Sequence, residues 1–320
     1  MSFKYRFCVW VCVVIILAVS LTGCVQPPAE DGKLKVSLIP VLDVIPILVA
    51  QQNGYFAEQG ITVEGIPVKS AQEQVALVQS GQVDGMLTDL ITVGIFNKQA
   101  SRVKAVYRAR IPYPQAPVFR VLAAPNSTIK SPADLKGVPI GISQNTVIEY
   151  VTAYLLESAG LKPEEIKVEE VSAIPVRFEQ LMNGNLKAAT LPDPLAQGAI
   201  AGGARLIVDD AQRPERSQSV LAFRVEVLKE KPNTVRKFLA AWEKAVAELN
   251  AHPEKYQGLL IEQGRVPKSI ENSYKMPPFP GRGVSSEADV ADVIKWMRAK
   301  GLLARDVPYQ EMVDPSFLPK

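Results

Sequence analysis

Apolar positions along the chain fall into two rhythms that alternate. Short runs of mostly β-branched or aliphatic residues are followed by stretches with three- and four-residue spacing, and glycine or asparagine closes many of the latter. Residues 34–39, 61–68, 83–87 and 103–108 read as strands, with helices at 46–54, 71–80 and 91–98 between them. The pattern then starts again. Strands are expected at 119–124, 138–142, 166–171, 186–191 and 205–208. Helices are expected at 147–159, 176–183 and 194–201, and a short one at 131–135 carries a Ser131 cap and Pro132 in its first turn. A polar stretch, 209–219, precedes one more strand at 220–225. The rest is helical, at 232–249, 253–263 and 287–300. Strands separated by helices of this length predict βαβ units and an α/β fold with mostly parallel sheets.

Two such halves can be separate beads or one hinged pair, and the connections favour the pair. The segment 107–119 is rich in proline and arginine, and the strand at 220–225 follows a polar break. Read as two crossings, they assign 33–113 and 222–320 to one lobe and 114–221 to a second, inserted lobe. Two lobes on a two-strand hinge close like a clamshell, over a cleft at the carboxyl ends of the strands.

The amino-terminal 23 residues read as an address. Lys4 and Arg6 precede an apolar run at 7–19 that is short for a permanent membrane span. Leu21-Thr22-Gly23-Cys24 then resembles the bacterial lipobox, which implies cleavage before Cys24 and acylation of that cysteine. The expected organisation is thus a signal peptide at 1–23 and a proline-containing tether at 24–32, with the lobes following.

Composition narrows the chemistry. Cys8, Cys12 and Cys24 are the three cysteines, so the chain beyond the leader offers no disulfide and no thiolate metal site. His252 is the one histidine and reads as a helix-end residue, which leaves a His-based triad, zinc site or acid–base pair without its central group. The net charge of +3 falls to about +1 once Lys4 and Arg6 leave with the signal, a balance with no pull toward nucleic acid. No metal and no cofactor is expected, and nothing suggests more than a monomer.

Several stretches carry a resemblance. They are Leu34-Lys35-Val36 through Pro46, the run from Ala50 to Ile61 (AQQNGYFAEQGI), Gln79-Ser80-Gly81-Gln82-Val83-Asp84-Gly85, the run from Ile129 to Gly137 (IKSPADLKG), and Leu191-Pro192-Asp193-Pro194. In this order, behind a lipobox, the chain resembles the periplasmic solute-binding proteins of nitrate/sulfonate/taurine and thiamine-pyrimidine-precursor importers. The resemblance implies the two-lobe periplasmic-binding-protein fold and capture of a small-molecule solute. It also implies delivery to the permease and ATPase subunits of an ABC importer, from a lipid anchor at the extracytoplasmic face of the membrane. A fungal enzyme of thiamine-pyrimidine synthesis shares the fold, but its cysteine-rich run and active-site histidine have no counterpart here. A ligand-sensing lipoprotein stays open as an alternative, because sensing and import use the same clamshell.

Candidate ligand contacts are loop residues just after the expected strands. In the first lobe these are Asp43, Pro46, Ser70, Thr88, Asp89 and Leu90. In the second they are Ser143, Gln144, Asn145, Thr146, Ile174, Pro192 and Asp193, and Phe223 lies on the return crossing. Small polar residues at 143–146, ahead of a helix, can cap it, present free N–H groups to a ligand, or do both. If two of Asp43, Asp89 and Asp193 face the cleft as free carboxylates, a bare anion is repelled and an N–H donor such as an aminopyrimidine is attracted. Arg108, Arg110 and Arg120 argue the other way if one of them reaches the ligand.

Overall fold

The computed structural model describes residues 30–320. The expected signal, the tether up to residue 29 and Cys24 lie outside the described residues. Gly32–Lys320 form one compact unit, built on two five-stranded sheets. In chain order the strands are β1 (Lys33–Leu38), β2 (Thr62–Pro67), β3 (Gly85–Asp89), β4 (Val103–Arg110), β5 (Phe119–Ala123), β6 (Pro139–Ile142), β7 (Lys167–Glu170), β8 (Ala188–Pro192), β9 (Arg205–Asp209) and β10 (Ser219–Arg224). The first sheet has the order β2-β1-β3-β10-β4, the second β7-β6-β8-β5-β9.

The two orders are the same pattern used twice, and the hinge explains it. In each sheet four strands share one direction and the fourth in the order, β10 or β5, runs against them. These two strands are the ones that enter a lobe from the other lobe. Strands whose carboxyl ends face the hinge lead out, so a strand arriving there has to run the opposite way. The sheets are therefore mixed. The central strands β3 and β8 are buried along their whole length, and their short apolar runs match burial on both faces.

Helices fill the layers. In the first lobe α1 (Ile45–Gln52), α2 (Tyr55–Glu58), α3 (Ala71–Gln79) and α4 (Leu90–Phe96) connect the strands. In the second, α5 (Val147–Ser158), α6 (Ile174–Met182) and α7 (Leu195–Ala201) do so. The carboxyl-terminal part adds α8 (Val225–Glu230), α9 (Pro232–Ala251), α10 (Gln257–Gln263), α11 (Glu287–Ala299) and α12 (Tyr309–Met312). Capping is local and legible: Ser70, Asp89, Thr146 and Ser286 each accept an N–H of the first turn that follows. Helix α9 lays Val235, Phe238, Leu239 and Trp242 onto the first sheet, where Phe238 packs against both Phe56 and Phe223. Among the described residues no helix is long and apolar enough to cross a membrane.

The expected switch between lobes at 221/222 is displaced. Ser219, Val220 and Leu221 pair with Asp89, Thr88 and Leu87 on one side and with β4 on the other, so they belong to the first sheet. Residues 111–118 and 210–218 are the crossings. Asp210 ties them together: its carboxylate accepts the N–H groups of Val118 (2.8 Å) and Phe119 (3.0 Å).

The lobes also touch away from the crossings. Gln72 Nε2 donates to Ser172 Oγ (3.2 Å), Lys300 pairs with Glu149 (2.7 Å), and Tyr150 meets Asp292 and stacks edge-on against Trp296. On α7, Gly198 faces Pro267 so closely that a Cβ there would stand 2.3 Å from the proline Cγ.

Candidate functional site

Between the lobes lies a cleft of about 710 Å³ of empty space, counting its open mouth. Its position follows from the strand directions, since β1, β3, β6, β7 and β8 all end toward it. The loop after β1 supplies Ile39, Val41 and Asp43. The start of α3 supplies Ser70, Ala71 and Gln74, and the end of β3 supplies Leu87, Thr88 and Asp89. The second lobe adds Ser143, the first residues of α5 from Thr146 to Ile148, then Ser172, Ile174 and Pro192. The crossings close the back with Val118, Phe119 and Ser217–Ser219.

Of the residues expected from sequence, Asp43, Ser70, Thr88, Asp89, Ser143, Thr146, Ile174 and Pro192 come together here. The others do not. Pro46 is buried in the first turn of α1, and Leu90 is core at the start of α4. Gln144 and Asn145 are exposed; their N–H groups go to Glu170 (2.6 Å) and Glu149 (2.8 Å). Phe223 lies in the first core against Phe238, with its ring over Gly85. Asp193 is buried behind the cleft, bound to Arg120 at 2.7 Å. Sequence reasoning missed Gln74, Ser172 and Ser217–Ser219; the polar stretch before β10 was the available signal for the last group.

The electrostatics correct one expectation. Asp43 is not a free carboxylate, because Arg110 Nη1 reaches its Oδ1 at 2.9 Å and both side chains are buried. Burial works against the Arg110 charge, yet Asp43 together with Tyr274 and Asp193 more than offsets it and raises its pKa. Asp193 is likewise matched by Arg120, although burial still raises it to about 6. Asp89 caps α4 by accepting the N–H (2.9 Å) and hydroxyl (3.1 Å) of Thr92, and burial pushes its pKa up. Two of the three carboxylates are thus neutralised by arginines, and the general repulsion of anions argued from sequence is weakened. The arginines are consumed in turn: no lysine or arginine lines the cleft among the described residues, and Asp43 and Asp89 are its acidic side chains.

What is left is directional. Asp43 Oδ2 accepts no hydrogen bond among the described residues. Gln74 spends its amide N–H groups on the carbonyls of Leu87 (2.9 Å) and Ser37 (3.4 Å), which turns its amide oxygen away from them. Around these polar points, Ile39, Val41, Leu87, Val118, Phe119, Val147, Ile148, Ile174 and Pro192 make most of the exposed wall surface apolar. A few fixed polar groups on apolar walls, drawn from two lobes, make a site that can enclose a small organic molecule.

Comparison with known proteins agrees with this architecture. The formylaminopyrimidine-binding protein of Halalkalibacterium halodurans is 26% identical over 160 residues, covering 47% of this chain and 46% of that one. The putative aliphatic sulfonates-binding protein of Escherichia coli is 29% identical over 181 residues, covering 55% of each. The similarity thus spans about half the length of these curated relatives. Among solved structures, the alkanesulfonate-binding protein of Xanthomonas axonopodis pv. citri bound to MOPS superposes with a TM-score of 0.73 at 17% identity. That match covers 89% of this chain and 99% of the other, and it shows the periplasmic-binding-protein fold. The family model described as NMT1/THI5 like matches residues 42–256, two-thirds of the sequence. The chain belongs to the NMT1/THI5-like family.

Proposed function

We propose that the protein is the extracytoplasmic solute-binding component of an ABC importer, tethered through lipid on Cys24. It captures a small organic solute, a nitrogen heterocycle or a sulfonate-type compound, by closing two lobes about the crossings at 111–118 and 210–218. It then delivers the solute to a permease and ATPase pair. No bond is made or broken: the solute leaves as it entered, and the protein works as a monomer without a cofactor.

The observation that carries this reading is a cleft whose walls come from both lobes and both crossings. A ligand touching all of these binds the closed form more tightly than the open one, and that difference drives closure. The names of the curated relatives, both binding proteins, support the same class.

A thermal-shift screen of the full chain in detergent tests the proposal, using vitamins and their precursors, sulfonates and oxyanions. A true ligand at a hundred times its Kd should stabilise the chain by about 2.7 kcal/mol, several degrees in Tm. Chemical conversion of a bound compound, seen by mass spectrometry, would overturn the transport reading. Cys24→Ser should abolish acylation and release the chain from membranes.

A further inference from the structure

Helix α11 has two working faces. Val290, Val293, Ile294 and Met297 are buried against the first lobe, where the Met297 sulfur packs over Gly94 of α4. Asp289, Asp292, Trp296 and Lys300, three and four residues apart, form a second stripe along the helix and its cap. This stripe meets the second crossing and helix α5 of the second lobe. At one end Gln218 Nε2 donates to Asp289 Oδ2 (3.0 Å), and Ser285 Oγ donates to the Gln218 amide oxygen (2.7 Å). Midway, Asp292 accepts a hydrogen bond from the Tyr150 hydroxyl and pairs with Arg216. Farther on, Trp296 lies edge-on to the Tyr150 ring, 5.4 Å between centroids, and Lys300 reaches Glu149 at 2.7 Å.

These bonds divide the second crossing. Arg216 goes with the second lobe: its Nη1 donates to Tyr150 Oη (2.8 Å), and its guanidinium stands over the Tyr154 ring, 4.2 Å from the centroid. The Arg213 N–H returns to the Asp210 carbonyl and the Arg216 N–H to that of Arg213, so 210–216 is a wound turn at the end of β9. Gln218 goes with the first lobe, and Ser219 already pairs with Asp89 in the first sheet. Ser217 stands between the two anchored sides. A chain held at 216 and 218 turns about the soft dihedrals of the residue between them. Asp292 bypasses that point, because it sits on first-lobe α11 one turn from Asp289 and bonds Tyr150 and Arg216 on the other side.

We infer that Ser217 is the turning point of the second crossing and that Asp292, through Tyr150 and Arg216, is a strut made only when the lobes are together. The inference rests on the two-lobe capture reading and adds what sets the balance of open and closed forms before any solute arrives. Rotation at Ser217 carries Tyr150 away from α11, so Asp292 loses its partners on opening and regains them on closing. Apparent affinity scales with the fraction of the chain already in the binding form. The strut therefore tightens the hold on every solute by the same factor and selects none. Tyr150 and Asp292 are positioning residues, since neither lines the cleft.

Pulsed electron paramagnetic resonance between two spin labels tests this on the full chain in detergent, dialysed free of solute. Ala76→Cys on α3 and Glu179→Cys on α6 put the labels at exposed positions on the two lobes, and the chain without them gives the background of the native cysteines. Two separations are expected. Asp292→Asn should cut the population of the shorter one about threefold to tenfold, the worth of one hydrogen bond, with Tm nearly level because the open form stays folded. Tyr150→Phe, which keeps the ring against Trp296, should do the same. Ser217→Gly should broaden the longer separation, because glycine frees the backbone at the turning point. A single separation that the variants leave in place overturns the inference. So do unaltered populations beside a lowered Tm, or a Ser217→Gly distribution identical to that of the parent. No solute enters the measurement, so failure of the ligand screen counts against capture alone.

Discussion

The close approach of Gly198 to Pro267 gives a way to disturb closure without touching the cleft. In Gly198→Ala the new Cβ would lie 2.3, 2.8 and 3.3 Å from the Cγ, Cβ and Cδ of Pro267. Carbon atoms rest at about 3.5–4.0 Å, so the proline ring has to recede by roughly 1 Å, and a fixed ring has no rotamer into which to retreat. Overpacking of this kind costs about 1–3 kcal/mol. Gly198 belongs to α7 of the second lobe, whereas Pro267 precedes a short turn whose Ile270 is part of the first lobe's core. The cost therefore falls on the state in which the lobes meet. Within α7 itself, alanine in place of glycine favours the helix by about 1 kcal/mol. Affinity for whichever compound the screen identifies should drop about ten- to a hundredfold, while the Tm of the ligand-free chain stays level or rises. Calorimetry and thermal unfolding on the same samples separate the two effects. Unchanged affinity, or a Tm that falls in step with it, would refute the claim that this contact belongs to the closed state.

Other perturbations follow from the buried charges and tight contacts. Burial raises Asp210 to about 7 from an ordinary 3.8, so between pH 4 and 7 the folded chain holds a proton that the unfolded chain has lost, and stability falls as pH rises through that window. Asp210→Asn should remove about 2–3 kcal/mol of the fall between pH 5 and pH 8 in urea unfolding; an unaltered pH slope sinks the assignment. Arg110→Met leaves Asp43 buried and unpaired and should cost about 3–5 kcal/mol, with part regained when Asp43→Asn is added. A loss below 1 kcal/mol by denaturant titration would show that the pair supports little. Gly85→Ala would place a Cβ 2.5 Å from Phe223 Cδ1 and 2.9 Å from the Ala222 carbonyl oxygen, lowering stability by about 1–3 kcal/mol, with relief from Phe223→Leu.

Most elements were legible because their signals are local. The helix at 71–80 begins at a serine that does cap it and stops at Gly81, which takes the positive φ that ends α3. The apolar runs of β3 and β8 announce central strands. Strand direction was not legible. Nothing within 119–123 or 219–224 says that these strands run against their neighbours; that depends on where each enters its lobe. Helix α8 was missed for a similar reason, since Val225 continues the apolar run of β10 and the turn into the helix leaves no glycine or proline mark.

The site divides along the same physical line. Residues placed by their own backbone, such as Ser70 and Thr146 at helix caps or Asp43 just after β1, were legible from the alternation of strands and loops. What the carboxylates do was not, because charge is decided by partners distant in sequence: Arg110 is 67 residues from Asp43, and Arg120 is 73 from Asp193. Phe223 shows the converse error. Its place on the return crossing suggested the cleft, but alternation along β10 sends it to the α9 side of the sheet, against Phe238. Arg177 is the hardest case. One arginine in an amphipathic helix reads as a solvated side chain, and only the packing of α6 over the loops after β6 and β7 buries it. An unpaired cation in that position weakens the fold unless something offsets it.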